Sequence, residues 1–167
     1  MIHTNIGNTP DGCHPDIRQI LDYWLSIHPD NGLPSRQHVD PLHFSRHLPN
    51  IRLIDVVDDP PRFRVRLTGE RIAQHFRASQ VGMFFDEINP DFEARESFIA
   101  FTTAVRTKEP YWNSSRCELD AAKDFVALER VVLPLAGDGT NVDALLVLAL
   151  LGNVATQVNQ QESQSAA

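Results

Sequence analysis

His38, Asp40, His43 and His47 are the residues of this sequence whose types and spacing come nearest to a metal site. His43 and His47 stand four apart and could share one face of a helix, but a third ligand would have to come from His38 or Asp40 across Pro41. The plainer reading is a solvent-facing, histidine-rich connector, and no metal is assigned. Cys13 and Cys117 lack the CxxC spacing of a metal or redox pair and are too few for a disulfide framework. Cys117, between Arg116 and Glu118, reads as a small packed side chain rather than a redox sensor. Asp55, Asp86 and Glu129 could do acid–base work, but nothing in their spacing argues for it. There is no Gly-x-Ser-x-Gly, no phosphate-cradling glycine loop and no HExxH, so no catalytic residue is assigned and a small enzyme is the alternative only.

The other feature with chemical content is apolar. Phe76, Met83, Phe84, Phe85, Phe92, Phe98 and Phe101 concentrate most of the nine phenylalanines in one stretch. They could line a pocket for a small apolar or aromatic ligand, or fill it themselves. A dry, vacant cavity of about 300 Å³ would cost on the order of 7 kcal/mol, so either a ligand or the rings must occupy the space, and the balance leans to collapse. The lining candidates are Phe76, Met83, Phe85, Phe98 and Phe101, with Thr102 and Arg116 as polar members.

Positioning such a pocket requires elements, and the 167 residues suffice for one domain with a core. After a start expected to be flexible (1–13), "PDIRQILDYWLSIH" sets Ile17, Ile20, Leu21, Trp24 and Leu25 on one stripe, which predicts an amphipathic helix over 15–28. Pro34, Pro41 and Pro49 make 30–50 a connector with a short helix of about two turns near Pro41. "IRLIDVV" and "RFRVRLTG" form a hairpin around "DDPP". "ERIAQHFRAS" is a short helix and "QVGMFFDEINP" a glycine-broken loop. Asn89 is the expected N-cap of the longest helix, running from Asp91 to Pro110 with Ala94, Phe98, Phe101, Thr102 and Val105 on one stripe. Strands follow at 111–119, 124–135 and 142–151, the last apolar on both faces and therefore central. Residues 153–167 are a Gln/Ser-rich tail expected to be disordered. The predicted class is α+β, with all five strands in one antiparallel sheet.

Charge narrows the partners. A formal net charge of −7 repels a phosphate backbone, so nucleic acid is not expected. No stretch reaches the ~20 apolar residues of a bilayer span, and the N-terminus lacks signal-peptide features, which predicts no membrane association and a cytoplasmic location. The alternating arginines of "RFRVRLTG" read as the water-facing side of a half-buried strand, with Phe63, Val65 and Leu67 inward and Arg62, Arg64 and Arg66 outward.

The order of elements, Trp24, "LPSRQHVDPLHFSRHLPNIRLIDV", "RFRVRLTGERI", "VGMFFDE" and "ERVVLPLAGDG" together resemble the PAS domain, and the single-domain PAS-like family widespread in alphaproteobacteria, over residues 15–152. The resemblance implies a five-stranded antiparallel sheet of order 2-1-5-4-3, helices on one face enclosing a cavity, and an N-terminal helix used in dimers. It implies a sensory or interaction module acting in trans, without catalytic residues of its own. Haem is disfavoured because 91–109 contains no histidine and only His75 could point inward. Photoadduct flavin is disfavoured because "RIAQHFRAS" has no cysteine. No cofactor is required. The expected partners are a second copy of the chain and an unidentified signalling protein, met through Ile17, Ile20, Leu21, Trp24 and Leu25 if that stripe does not instead cover the sheet.

Overall fold

Strand-forming runs in five segments become strands, of which "RFRVRLT" alternates apolar and charged residues and "ALLVLALL" is apolar throughout. A computed structural model describes residues 12–76, 79–116 and 126–153. Its strands are β1 (Ile51–Val57), β2 (Arg62–Thr68), β3 (Tyr111–Arg116), β4 (Val126–Leu135) and β5 (Ala144–Asn153). They form one antiparallel sheet in the order β2-β1-β5-β4-β3. The apolar run "ALLVLALL" lies at the centre, hydrogen-bonded to β1 and β4, so both of its faces are roofed and both must be apolar.

Alternate residues of these strands feed two separate cores. On one face Ile51, Val131, Leu133, Leu146 and Leu148 pack under α1 (Pro15–Ser26), whose Ile17, Ile20, Leu21 and Trp24 are buried there. On the other face Ile54, Phe63, Val65, Val132, Leu145 and Val147 meet Phe85, Phe92, Phe101 and Ala104. That second roof consists of α2 (Glu70–Phe76), α3 (Phe85–Ile88) and α4 (Glu96–Thr107).

The α1 stripe thus covers its own sheet. The Trp24 indole N–H donates to the Pro134 carbonyl at 3.0 Å, while Leu25, next along the helix, stays 39% exposed. α1 opens with a His14 Nδ1 cap on the Asp16 N–H and with Pro15 in its first turn, and it ends at Ser26, two residues before the expected end. The short helix expected near Pro41 is a 3-10 segment, Pro41–Asn50, capped by Asp40 and kinked at Phe44.

Four expectations are corrected. Leu67 is 46% exposed, because β2 carries one extra residue opposite Leu53 and Ile54, which turns the rest of the strand over. α4 starts at Glu96 rather than Asp91, since the chain first makes a separate 3-10 turn, Phe92–Ala94; at 12 residues it equals α1 and is not the longest helix. Asn89 closes α3, its N–H donating to the Phe85 carbonyl, instead of opening α4. Part of the expected loop "QVGMFFDEINP" is helical, because Glu87 caps the Phe84 N–H. Residues 1–11, the turn "DAAK", Cys117 and the tail from 154 onward lie outside the described residues.

His47 is buried beneath α1, its Nε2 2.7 Å from Gln19 Oε1 and its Nδ1 3.9 Å from Asp16. Burial pulls its pKa below the ordinary 6.5, with Asp16 only partly opposing that effect. The unfolded chain therefore takes up the proton first, so this contribution to stability is complete above about pH 6.5 and is lost as pH falls toward the lower folded-state value. The urea midpoint should drop between about pH 7 and pH 5, and a His47→Gln variant should lose that part of the drop. Equal pH profiles for the two proteins would refute it.

Candidate functional site

β1, β4 and β5 present residues of the second face to α2, α3 and α4, and between them lies a cavity of about 280 Å³. Its apolar wall comes from Ile72, Phe76, Phe85, Ile88 and Phe101 on the helices and from Leu128, Val147, Ala149 and Leu151 on the sheet. Its polar groups are Arg52, Gln80, Asn89, Arg95, Glu96, Ser97 and Arg130. The phenylalanines do not collapse into the space. Phe63, Phe85, Phe92, Phe98 and Phe101 stack on one another, with neighbouring centroids 5.1–6.2 Å apart, and leave the cavity beside that cluster. The expected cost of a void applies to a dry apolar one, whereas a polar lining of this kind can hold water or a polar ligand.

Two arginines define the electrostatics. Arg52 on β1 is 9% exposed; its Nη2 donates to Gln80 Oε1 at 2.7 Å, and its guanidinium lies 5.0 Å from the Phe76 ring and 5.5 Å from that of Phe85. Burial lowers its pKa to about 10, so it stays charged at neutral pH. Arg130 on β4 is buried as well, its Nε donating to Asn113 Oδ1 at 2.8 Å, and Asn113 Nδ2 donates in turn to Glu96 Oε2 at 3.3 Å. A polar chain therefore links the sheet floor to the first turn of α4. Arg95, just before α4, is paired with Asp91 at 3.2 Å.

Of the residues the sequence nominated, Phe76, Phe85 and Phe101 line the cavity. Met83 is 42% exposed and lies on the far side of the β2 edge, its carbonyl accepting from the Val65 N–H. Phe98 packs on Phe92, and the Thr102 hydroxyl donates to the Phe98 carbonyl within α4; neither is a lining residue. Arg116 is the last residue of β3. Sequence reasoning missed Arg52 and Arg130. The signal was their phase: Arg52 alternates with Ile54, and Arg130 with Val132, on strands next to the doubly roofed β5.

The other candidate groups are engaged elsewhere. His38 Nδ1 accepts the Ser35 N–H, His43 stacks on Tyr23 with centroids 5.7 Å apart, and His47 lies under α1; among the described residues no three metal-ligating side chains converge. Asp55 is ringed by Arg64 at 3.1 Å and by Arg36 and Arg66 at 3.4 Å, and Asp86 grips Arg62 through two bonds of 2.8 Å. The arginine stripe thus meets the chain's own carboxylates as well as solvent. Glu129 Oε1 accepts from the Trp112 indole at 3.0 Å and from the His14 N–H at 2.8 Å. His75 sits edge-on to Phe76 and does not line the cavity.

In a comparison with known protein families, the PAS domain family matches residues 13–149, most of the chain. The chain belongs to the PAS domain family. Among curated proteins none matches it. As a PAS domain it has its cavity between the sheet and the α2–α4 roof, and among the described residues no helix is long and apolar enough to cross a membrane.

Proposed function

We propose that this PAS domain is a sensory module that takes a small molecule into the cavity and reports its presence in trans, through contact with a signalling protein or a second copy of itself. The observation that carries the reading is the cavity itself, about 280 Å³ near the lower end of small-molecule sites, which run roughly 300–1,000 Å³, with a mostly apolar wall and a few convergent polar groups. The route to the outside is the sheet. Arg52, Arg130 and Val147 face the cavity, while their chain neighbours Ile51, Val131, Leu146 and Leu148 hold α1 on the other side. A ligand that binds one sheet curvature better than another would bias how α1 and the Pro41–Asn50 segment pack, and Leu25 and Leu42 stand exposed there.

Native mass spectrometry of freshly purified protein tests this directly. The expected result is a small-molecule mass increment that disappears on denaturation, and its absence from an Ala149→Phe variant in which a ring fills the cavity. A protein of bare chain mass, unaltered by added small acids or amides, would reject the sensor reading.

A further inference from the structure

We propose that the cavity selects a monoanion, a carboxylate carried on a small aromatic or short aliphatic body, and that Arg52 is the residue that recognises it. The inference rests on the ligand-sensing reading and adds the chemical class of the ligand.

Among the described residues six arginines pair with a carboxylate: Arg62 with Asp86, Arg36, Arg64 and Arg66 with Asp55, Arg95 with Asp91 and Arg46 with Asp16, while Arg130 is held by the Asn113 side chain that also bonds Glu96. Arg52 differs. It is 9% exposed, its bonded partner is the neutral amide of Gln80, and among the described residues its Nε has no hydrogen-bond partner. A guanidinium taken out of water without a counterion is costly to keep, and the cost is relieved when an anion arrives with it. A carboxylate suits that role, because its two oxygens match the fork formed by Nε and an adjacent Nη. The Phe76 and Phe85 rings beside the guanidinium, with Val147 across from them, would receive the apolar body. Glu96 in the same lining repels a second negative charge, and Arg95 and Arg130 are already engaged by Asp91 and Asn113, so a phosphate dianion is a poorer fit. With a pKa of about 10, Arg52 is charged at neutral pH, where a carboxylic acid is ionised.

The test is titration calorimetry on the full chain at neutral pH with benzoate and hexanoate, their uncharged counterparts benzamide and hexanamide, and phenyl phosphate. The acids should bind at least tenfold more tightly than the amides, and benzoate more tightly than phenyl phosphate. Arg52→Gln should bring the acid-to-amide affinity ratio close to one, while Arg52→Lys should retain part of the acid preference. The acid-to-amide ratio in the unmodified protein is decisive even if a variant fails to fold. Equal binding of acid and amide would overturn the anion assignment while leaving the cavity as a ligand site, and so would an acid preference that survives in Arg52→Gln. Tighter binding of phenyl phosphate would overturn it in favour of a dianion. If neither acids nor amides bind, the assignment falls, and the native mass spectrum decides separately whether the sensor reading falls with it.

Discussion

Replacing Trp24 by alanine is expected to remove about 3–5 kcal/mol of folding stability, a large fraction of the roughly 5–15 kcal/mol a domain usually has. The indole is fully buried between α1 and the sheet, and its N–H serves the Pro134 carbonyl, so truncation leaves both a void and an unsatisfied buried acceptor. For a chain of this length the loss corresponds to a fall in melting temperature of roughly 6–20 °C. Leu25→Ala is the internal control, because that side chain is 39% exposed and should cost less than about 1 kcal/mol. Denaturant midpoints of the two variants decide the matter. If they fall by similar amounts, α1 does not owe its position to the buried stripe, and Ile17, Ile20, Leu21 and Trp24 would again be available to a partner. A destabilised Trp24→Ala protein would in turn lose partner contacts for a structural reason, so an interaction assay on that variant alone does not locate an interface.

Gly69→Ala is expected to cost about 1–3 kcal/mol, although Gly-to-Ala changes at unstrained sites commonly stabilise by about 0.4–1 kcal/mol through the unfolded chain. Gly69 joins β2 to α2; its N–H donates to the Ile51 carbonyl at 2.7 Å, and its Cα lies against the Leu48 and Pro49 carbonyls. A Cβ there would run into backbone oxygens, which cannot rotate away as a side chain can. Relief would have to come from moving α2, which carries Ile72 and Phe76 into the cavity wall, so small-acid binding should weaken together with stability. Gly82→Ala is the comparison: a Cβ there meets open space, but φ is +88°, so that variant should show a backbone penalty near 1 kcal/mol without the clash. A Gly69→Ala protein at least as stable as the parent would mean that the 48–49 backbone yields easily.

Local periodicity was enough to place most elements, because a side chain's face along a strand or helix follows from its own neighbours. "IRLIDVV", "RFRVRLTG" and "ALLVLALL" read as strands with the last one central, and the α1 stripe read as apolar from Ile17 to Leu25. Element boundaries near 91 were less legible, since the 3-10 turn Phe92–Ala94 and α4 share an apolar stripe that looks continuous. Gly69 was visible as a strand-to-helix joint, but the carbonyls that require a glycine there come from a different segment of the chain.

Other features depended on which distant residues meet. One extra residue in β2 turned Leu67 outward, and no local pattern announces it, because the register belongs to the pair of strands and not to either one. The arginines are chemically alike in the sequence, yet Arg62 lies in solvent against Asp86 whereas Arg52 is buried against Phe76 and Phe85. The composition of "Ile-Arg-Leu-Ile" determined that Arg52 shares a side of β1 with Ile54. Only the helices folding over that side, 20 to 50 residues further along the chain, turned a surface cation into the floor of a cavity, since desolvation of a charge is set by everything packed around it.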